Sequence, residues 1–383
     1  MDMNNLKFIA TATFGLEAVV KRELTRLGLK VTGGGDGRVE FAGSLYDMAM
    51  ANVNLRASDR VQLVMGEFEA TTFEELFEQT KALPWEEIIP ENGEFAVDGK
   101  SIKSTLFSVP NCQRIVKKAV VERMKAKYKT DWFEEDGAAY KIQVALLKDK
   151  ATLTIDTTGA GLHKRGYRPF SALAPIRETL AAAMIDLSYW KPGRVLFDPM
   201  CGSGTIAIEA ALIAKGAPVG ANREFESQFW DITTDDMWEK ARAKTTPYKD
   251  EDETIKIFGY DIDPYAIAQA KENAKRAGVL DMIHFDVADI GKLKSTDLPG
   301  ENGVLITNPP YGQRIGELDD IHRAYSALKR LVPKKSDWSA YIITSDEDFQ
   351  HHFGRKADAK RKLFNGATKT DYYQYHGPKP VRF

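Results

Sequence analysis

From Lys191 onward the chain alternates between strand and helix patterns: RVLFDP, TIAIEAALIAKG, IKIFGYDID, YAIAQAKENAKRAG, IHFDVADI, GVLITNPP, IHRAYSALKRLVP and SAYIITS. Strands separated by helices do not pair as hairpins, so this region is constrained to a doubly wound, mostly parallel sheet. AKRKLFNGATKTDYYQYHG then reads as a strand pair turning at Asn365-Gly366. In open sheets of this kind, ligands bind outside the carboxyl ends of the strands. Residues just past each strand are therefore where function should be sought.

Four consecutive strand tips carry polar chemistry. After the first stands Asp198-Pro199-Met200-Cys201-Gly202-Ser203-Gly204-Thr205, whose glycines let the backbone turn and approach a ligand. With Ala207 the run also fits G-x-G-x-x-A, a dinucleotide fingerprint. That fingerprint usually has its ribose-binding acid about 20 residues on. Here the next strand ends much later, at Asp261-Ile262-Asp263, after an acidic insertion. Asp198, at a strand tip, suits a cationic ligand group. Asp261 stands where a carboxylate can accept both ribose hydroxyls, and Asp289, in DVADI, where one can accept from an adenine amino group. The fourth strand ends in Asn308-Pro309-Pro310-Tyr311. Neither proline can donate to a ladder, and Asn308 is pushed extended. The result is a stiff shelf bearing an amide, carbonyls and a phenol. Any single Asp has a plain reading as a cap or turn former; the ordered set of four does not.

Upstream, residues 1–69 follow the order β-α-β-β-α-β, the split ferredoxin-like unit. The Gly33 to Gly37 run is a hairpin turn, since no helix start follows it. From Thr71 the chain reads as a helix (TFEELFEQTKALPW), a strand (EFAVDGK), a long helix and a hairpin turning at Lys148-Asp149. The long helix, PNCQRIVKKAVVERMKAKYK, places Ile115, Val116, Ala119, Val120 and Met124 on one face.

Charge is uneven. The chain has 53 Lys and Arg against 55 Asp and Glu, a net charge of -2 that argues against a protein coating nucleic acid generally. Yet Lys100 to Lys129 is basic, with Glu122 its only acid, and His163-Lys164-Arg165-Gly166-Tyr167-Arg168 forms a second cluster. Local basic stripes on a near-neutral chain suggest a directed anionic partner, the plainer reading being a solvated helix face. The two cysteines, Cys112 and Cys201, have no metal-ligand spacing, nor do His322, His351 and His352. No apolar run approaches the roughly 20 residues of a membrane span, and the N-terminus lacks signal-peptide features. The expectation is a cytoplasmic, reduced protein without a metal, monomeric by default.

The segment from about Thr71 to Thr158 resembles the THUMP domain, the RNA-binding module of several RNA-modifying enzymes, best in FAVDGKSIKSTLFSVPNCQRIVKKAVVERM. DPMCGSGT, GYDID, DVADI and NPPY stand over Arg194 to Tyr311 in the order of class I S-adenosylmethionine-dependent methyltransferases that modify exocyclic amino groups. An insertion from about Ala214 to Glu253 lengthens the gap between the first two motifs. NPPYGQRIGE, RGYR and the THUMP-like segment together resemble the bacterial RNA guanine-N2 methyltransferases, especially the large-subunit (23S) ribosomal RNA enzyme.

The resemblance implies an α/β protein: a Rossmann-like class I methyltransferase domain at 191–383, preceded by α+β ferredoxin-like (1–69) and THUMP (70–158) domains. A linker with a helix packing on the cofactor site takes 159–190. S-adenosyl-L-methionine is the implied cofactor, held by Asp198, Pro199, Met200, Cys201, Gly202, Gly204, Thr205, Asp261, Ile262, Asp289 and Asn308, with Thr179 closing over it. RNA is the implied partner, ribosomal RNA or a pre-ribosomal particle first and tRNA next. Lys103, Arg114, Lys117, Lys118, Lys164, Arg165 and Arg168 are the candidate phosphate contacts.

The implied chemistry fits Asn308, Pro309 and Tyr311 as catalytic residues. An exocyclic amine is conjugated with its ring, so its lone pair is a poor nucleophile. The Asn308 amide oxygen and Pro309 carbonyl can accept its two N–H groups and favour a pyramidal nitrogen. Tyr311 would stack on the base, worth roughly 1–3 kcal/mol. In-line placement matters more than a strong base, and a base in a duplex must be flipped out. Cys201 lacks a nearby His and reads as packing. Three alternatives stay open: the same chemistry on tRNA, adenine-N6 methylation of DNA, and a non-catalytic RNA-binding assembly factor.

Overall fold

A computed structural model describes residues 2–168, 176–244, 256–310, 317–334 and 336–378. In chain order the elements are β1 (Leu6–Ala12), α1 (Glu17–Arg26), β2 (Lys30–Gly35), β3 (Arg38–Gly43), α2 (Leu45–Asn54), β4 (Ser58–Glu69), α3 (Phe73–Lys81), β5 (Val97–Ile102), α4 (Val109–Tyr128), β6 (Ile142–Leu147) and β7 (Lys150–Asp156). They continue as α5 (Glu178–Asp186), β8 (Leu196–Asp198), α6 (Thr205–Ala214), α7 (Asp235–Ala243), β9 (Ile257–Asp261), α8 (Pro264–Arg276), β10 (Ile283–Val287) and β11 (Val304–Thr307). The last are α9 (Glu317–Leu331), β12 (Ser339–Thr344), α10 (Phe349–Phe353), β13 (Ala359–Asn365) and β14 (Thr368–Tyr375).

Local chemistry explains many of the boundaries. Ser44 and Asp47 form a reciprocal capping box at the start of α2, as do Thr72 and Glu75 at α3. Asp263 caps α8 and Pro264 takes its first position. The β6–β7 hairpin turns at Lys148 and Asp149, both left-handed (φ +51° and +65°), the pair of conformations a type I′ turn requires. Helix α4 buries Cys112, Val116, Ala119, Val120 and Met124, leaving Ile115 only half-buried.

The chain divides into two units. The first holds residues 2–12, 20–162 and 223–244. Its seven strands run β2-β3-β1-β4-β7-β6-β5, and all pairs are antiparallel except β5–β6. The ferredoxin-like order is as expected. Strand β4, however, is 12 residues long and pairs with β1 on one side and β7 on the other. Residues 1–69 and 70–158 therefore contribute their strands to one continuous sheet.

Part of the insertion expected within 191–383 clusters elsewhere. Residues 223–244 belong to the first unit. Trp230 is buried, stacks on Tyr140 with ring centroids 4.9 Å apart, and donates its indole N–H to the Ala139 carbonyl at 3.0 Å. Helix α7 packs on α2.

The second unit holds residues 13–19, 163–222 and the described residues from 256 on. Its strand order is β10-β9-β8-β11-β12-β14-β13. The first five strands are parallel neighbours, while β14 runs antiparallel to β12 and β13. After β8 the chain adds β9 on one side and later β11 on the other, so the order reverses between β8 and β11, where sheets of this kind open a crevice. Phe197, Leu305, Tyr325, Trp338 and Ile342 form part of the core beneath. Among the described residues no helix is long and apolar enough to cross a membrane.

Candidate active site

The glycine loop is built by the backbone. The Cys201 N–H donates to the Tyr260 carbonyl at 2.8 Å, and the Gly204 N–H to the Cys201 carbonyl at 2.9 Å. The Gly202 N–H donates to Asp261 Oδ2 at 2.9 Å, while Asn273 on α8 donates to the Ser203 carbonyl at 3.1 Å. Gly204 precedes α6 at φ +83°, where a Cβ would stand 3.0 Å from both Ala270 and Phe285. Gly202 is also left-handed (φ +52°), but a Cβ there would meet nothing within 4 Å. One glycine thus closes the loop on the fold, and the other faces open space that a ligand can enter.

The four tips stand side by side at the carboxyl edge of β10, β9, β8 and β11. Asp198, 1% exposed, accepts the Thr307 hydroxyl at 2.7 Å and the Met200 N–H at 3.3 Å. That buried bond staples the end of β8, where the glycine loop begins, to the end of β11, one residue before Asn308. Burial pushes the Asp198 carboxyl up to about 7, and the Asp261 charge adds to it, against the two hydrogen bonds it accepts. No cation stands against this acid among the described residues, and a buried carboxylate is suited to receive one.

Asp261 ends β9 and also accepts the Asp263 N–H at 3.0 Å. Each of its oxygens keeps a second lone pair for a hydroxyl donor. Ile262, 66% exposed, offers a flat apolar face next to it. Asp289 accepts the Gly291 N–H at 2.8 Å. Thr179 on α5 and Thr205 at the start of α6 are buried. Asn308 is half-buried, Pro309 buried and Pro310 exposed. Tyr311 lies outside the described residues. The Cys201 thiol is pushed well above its ordinary value, by burial first and then by the Asp198 and Asp261 charges, so it is not a thiolate nucleophile.

Two of the expected phosphate contacts are corrected. Arg165 is buried, with its Nε 3.5 Å from Glu209 Oε1, which also accepts the Tyr167 hydroxyl at 3.1 Å. Arg168 pairs with Glu178 Oε1 at 2.7 Å and donates to the Thr205 hydroxyl at 3.0 Å. An arginine enters a protein interior when its charge is paired, and both of these charges are spent on helices α5 and α6. Lys117 is half-buried, 2.6 Å from Glu135 and over the Phe95 ring at 3.8 Å. Lys103, Arg114, Lys118 and Lys164 are exposed. His352 Nδ1 lies 2.9 Å from Asp346 Oδ2 and its ring 4.2 Å from that of His322. Among the described residues no His, Cys, Asp or Glu group is arranged to hold a metal.

Sequence reasoning missed Thr307, Asn273 and Glu178. Asn273 had a signal: it shares the buried face of α8 with Ile267, Ala270 and Ala274, and a polar residue at an apolar position asks for a partner.

Residues 165–374 match the family described as "RMKL-like, methyltransferase domain". Residues 70–156 match the THUMP domain and 7–62 the "RlmL ferredoxin-like domain". The chain is 48% identical over 375 residues to "Putative RNA methyltransferase YpsC" of Bacillus subtilis (strain 168), covering 97% of this chain and 96% of that one. It is 32% identical over 378 residues to "Ribosomal RNA large subunit methyltransferase K/L" of Syntrophotalea carbinolica, covering 94% of this chain and 52% of that protein, about half its length. A crystal structure of SMU.472 with S-adenosylhomocysteine bound is 40% identical, with a TM-score of 0.88 over 99% of this chain and all of that one.

Proposed function

Since this chain belongs to the THUMP-containing, RMKL-like family of S-adenosylmethionine-dependent methyltransferases, we propose that it methylates the exocyclic N2 of a guanine in RNA, with large-subunit ribosomal RNA as the substrate. The observation that carries this reading is the Asp198–Thr307 bond. It fastens the Asn308-Pro309 shelf to the strand tip from which the cofactor loop springs.

The residues present fit the cofactor. Asp198 would take its amino group, Asp261 its ribose hydroxyls, and Ile262 and Asp289 its adenine. Gly202 leaves the space for it, and Thr179 and Thr205 line the helices nearby. When bound, S-adenosylmethionine supplies a methyl group on a good sulfonium leaving group. The chain's own part is placement. The Asn308 amide oxygen and the Pro309 carbonyl accept the two amine N–H groups, hold the nitrogen pyramidal and aim its lone pair. Pro309 does so from a backbone with a fixed φ. No strong base is required, and orientation of this kind lowers barriers by several kcal/mol.

RNA as substrate is supported by the THUMP match and by the printed names of the two relatives. Large-subunit RNA is supported by the K/L relative alone. The test is transfer of labelled methyl to separated RNA pools, followed by digestion to nucleosides. N2-methylguanosine in large ribosomal RNA is the expected product. Label in tRNA would move the substrate and keep the chemistry. N6-methyladenosine would overturn the guanine assignment, and cofactor binding without transfer to any nucleic acid would favour an assembly factor.

A further inference from the structure

We propose that Arg168 is a positioning residue for the cofactor site, a clamp that fixes the first residue of α5 against the first residue of α6. The inference rests on reading Gly202 to Thr205 and Thr179 as two walls of that site. One guanidinium reaches three acceptors on two stretches of chain: Glu178 Oε1 at 2.7 Å and the Ile176 carbonyl at 3.4 Å on one, Thr205 Oγ1 at 3.0 Å on the other. Its side chain is 11% exposed and that of Glu178 5%.

A guanidinium is a rigid planar fork, so acceptors bound to it at once are held at fixed separations. Thr205 follows Gly204, and its hydroxyl therefore sets the last turn of the glycine loop. Thr179 follows Glu178, so the same fork sets the face that α5 presents. Among the described residues Glu178 Oε2 has no hydrogen-bond partner, and the Arg168 charge is the strongest favourable interaction of the carboxylate. The pair is also needed electrostatically. The start of α6 carries the positive end of its dipole, where a bare cation is unfavourable, and the Glu178 carboxylate offsets it. One turn further along, Arg165 and Tyr167 hold Glu209 of the same helix.

The test is calorimetric titration of the full-length protein with S-adenosylhomocysteine, with RNA retention on filters in parallel. The variants are Arg168→Lys, Arg168→Gln, Glu178→Gln and the charge-neutral double variant Arg168→Gln/Glu178→Gln. Arg168→Lys and the double variant are expected to bind the ligand at least about ten-fold more weakly, with RNA affinity within about two-fold of wild type, because lysine lacks the fork. The KM for the cofactor should rise while kcat at saturation changes little. The double variant should recover the thermal midpoint lost in either single neutralisation without recovering ligand affinity. Ligand affinity within about two-fold of wild type in folded Arg168→Lys or the double variant would overturn the clamp. So would RNA affinity falling in step with ligand affinity. A wild-type chain that fails to bind S-adenosylhomocysteine would instead overturn the cofactor-site reading, and the clamp with it.

Discussion

Replacing Asp198 by Asn should strengthen the free protein and weaken its grip on the cofactor, by amounts that depend on pH. The folded state raises this carboxyl from 3.8 to about 7, chiefly by burial. A carboxyl raised on folding holds its proton more tightly in the native state. Its stabilising contribution is full below pH 3.8 and is lost as pH rises to about 7. Each pKa unit corresponds to about 1.4 kcal/mol, so the charged acid costs the fold about 4 kcal/mol at pH 8 and under about 2 at pH 5. Asparagine keeps an oxygen for the Thr307 hydroxyl and carries no charge. Amide exchange followed on peptides covering β8 and β11 reports the opening of this unit alone. Comparing wild type and variant at one pH cancels the intrinsic exchange rate. The variant's advantage should grow by about 2–3 kcal/mol between pH 5 and 8. In the same samples S-adenosylhomocysteine should bind the variant more weakly, and wild-type affinity should fall below pH 7, where a proton must leave first. An advantage that is constant with pH, or that shrinks as pH rises, would refute the argument.

Asn308→Ala should lower kcat at least about 100-fold, the usual scale for one transition-state hydrogen bond, with S-adenosylhomocysteine affinity nearly unchanged in calorimetry; unchanged turnover would remove the assigned role. Gly204→Ala should lose about 1–3 kcal/mol of stability, since the left-handed backbone disfavours a Cβ and the new carbon would press on Ala270 and Phe285; a denaturation midpoint equal to wild type would contradict this. Trp230→Ala should cost about 3–5 kcal/mol, seen as faster amide exchange in β6 of the first unit; a change confined to the second unit would mean that residues 223–244 pack there instead. Charge reversal at Lys103, Arg114 and Lys118 should weaken RNA binding and flatten its salt dependence without altering ligand affinity; a variant with the wild-type salt slope would move the RNA surface elsewhere.

The alternating sheet and its four tips were legible because each strand is a short apolar run and each tip a distinct chemical signature. What failed to show is long-range. The acidic stretch around α7 has too few apolar residues to announce a partner, and that partner, α2, is about 190 positions upstream. Arg165 and Arg168 looked like surface cations because arginine is rarely inside. Their partners are buried acids in apolar helices, Glu209 in TIAIEAALIA and Glu178 in ETLAAAMID, whose other acid, Asp186, is its last residue. A carboxylate beside an apolar run is the readable clue, since once buried it must be answered by a donor. The Asp198–Thr307 staple had no clue, because nothing in a strand's pattern says which neighbour its last residue will face.

The continuous sheet of the first unit has a practical bearing on anyone who would cut the protein into modules. Residues 70–158 look like a portable cassette in sequence, but β4 and β7 are zipped along seven residue pairs, Gln62 to Glu69 against Asp156 to Lys150. A fragment beginning at Thr71 would strip that partner away and leave β7 as a bare edge carrying buried Leu153 and Ile155. Unpaired edges of this kind recruit other chains. The cassette should therefore be expressed with its ferredoxin-like neighbour, and aggregation of the shorter piece would reflect a severed sheet, not a failed fold.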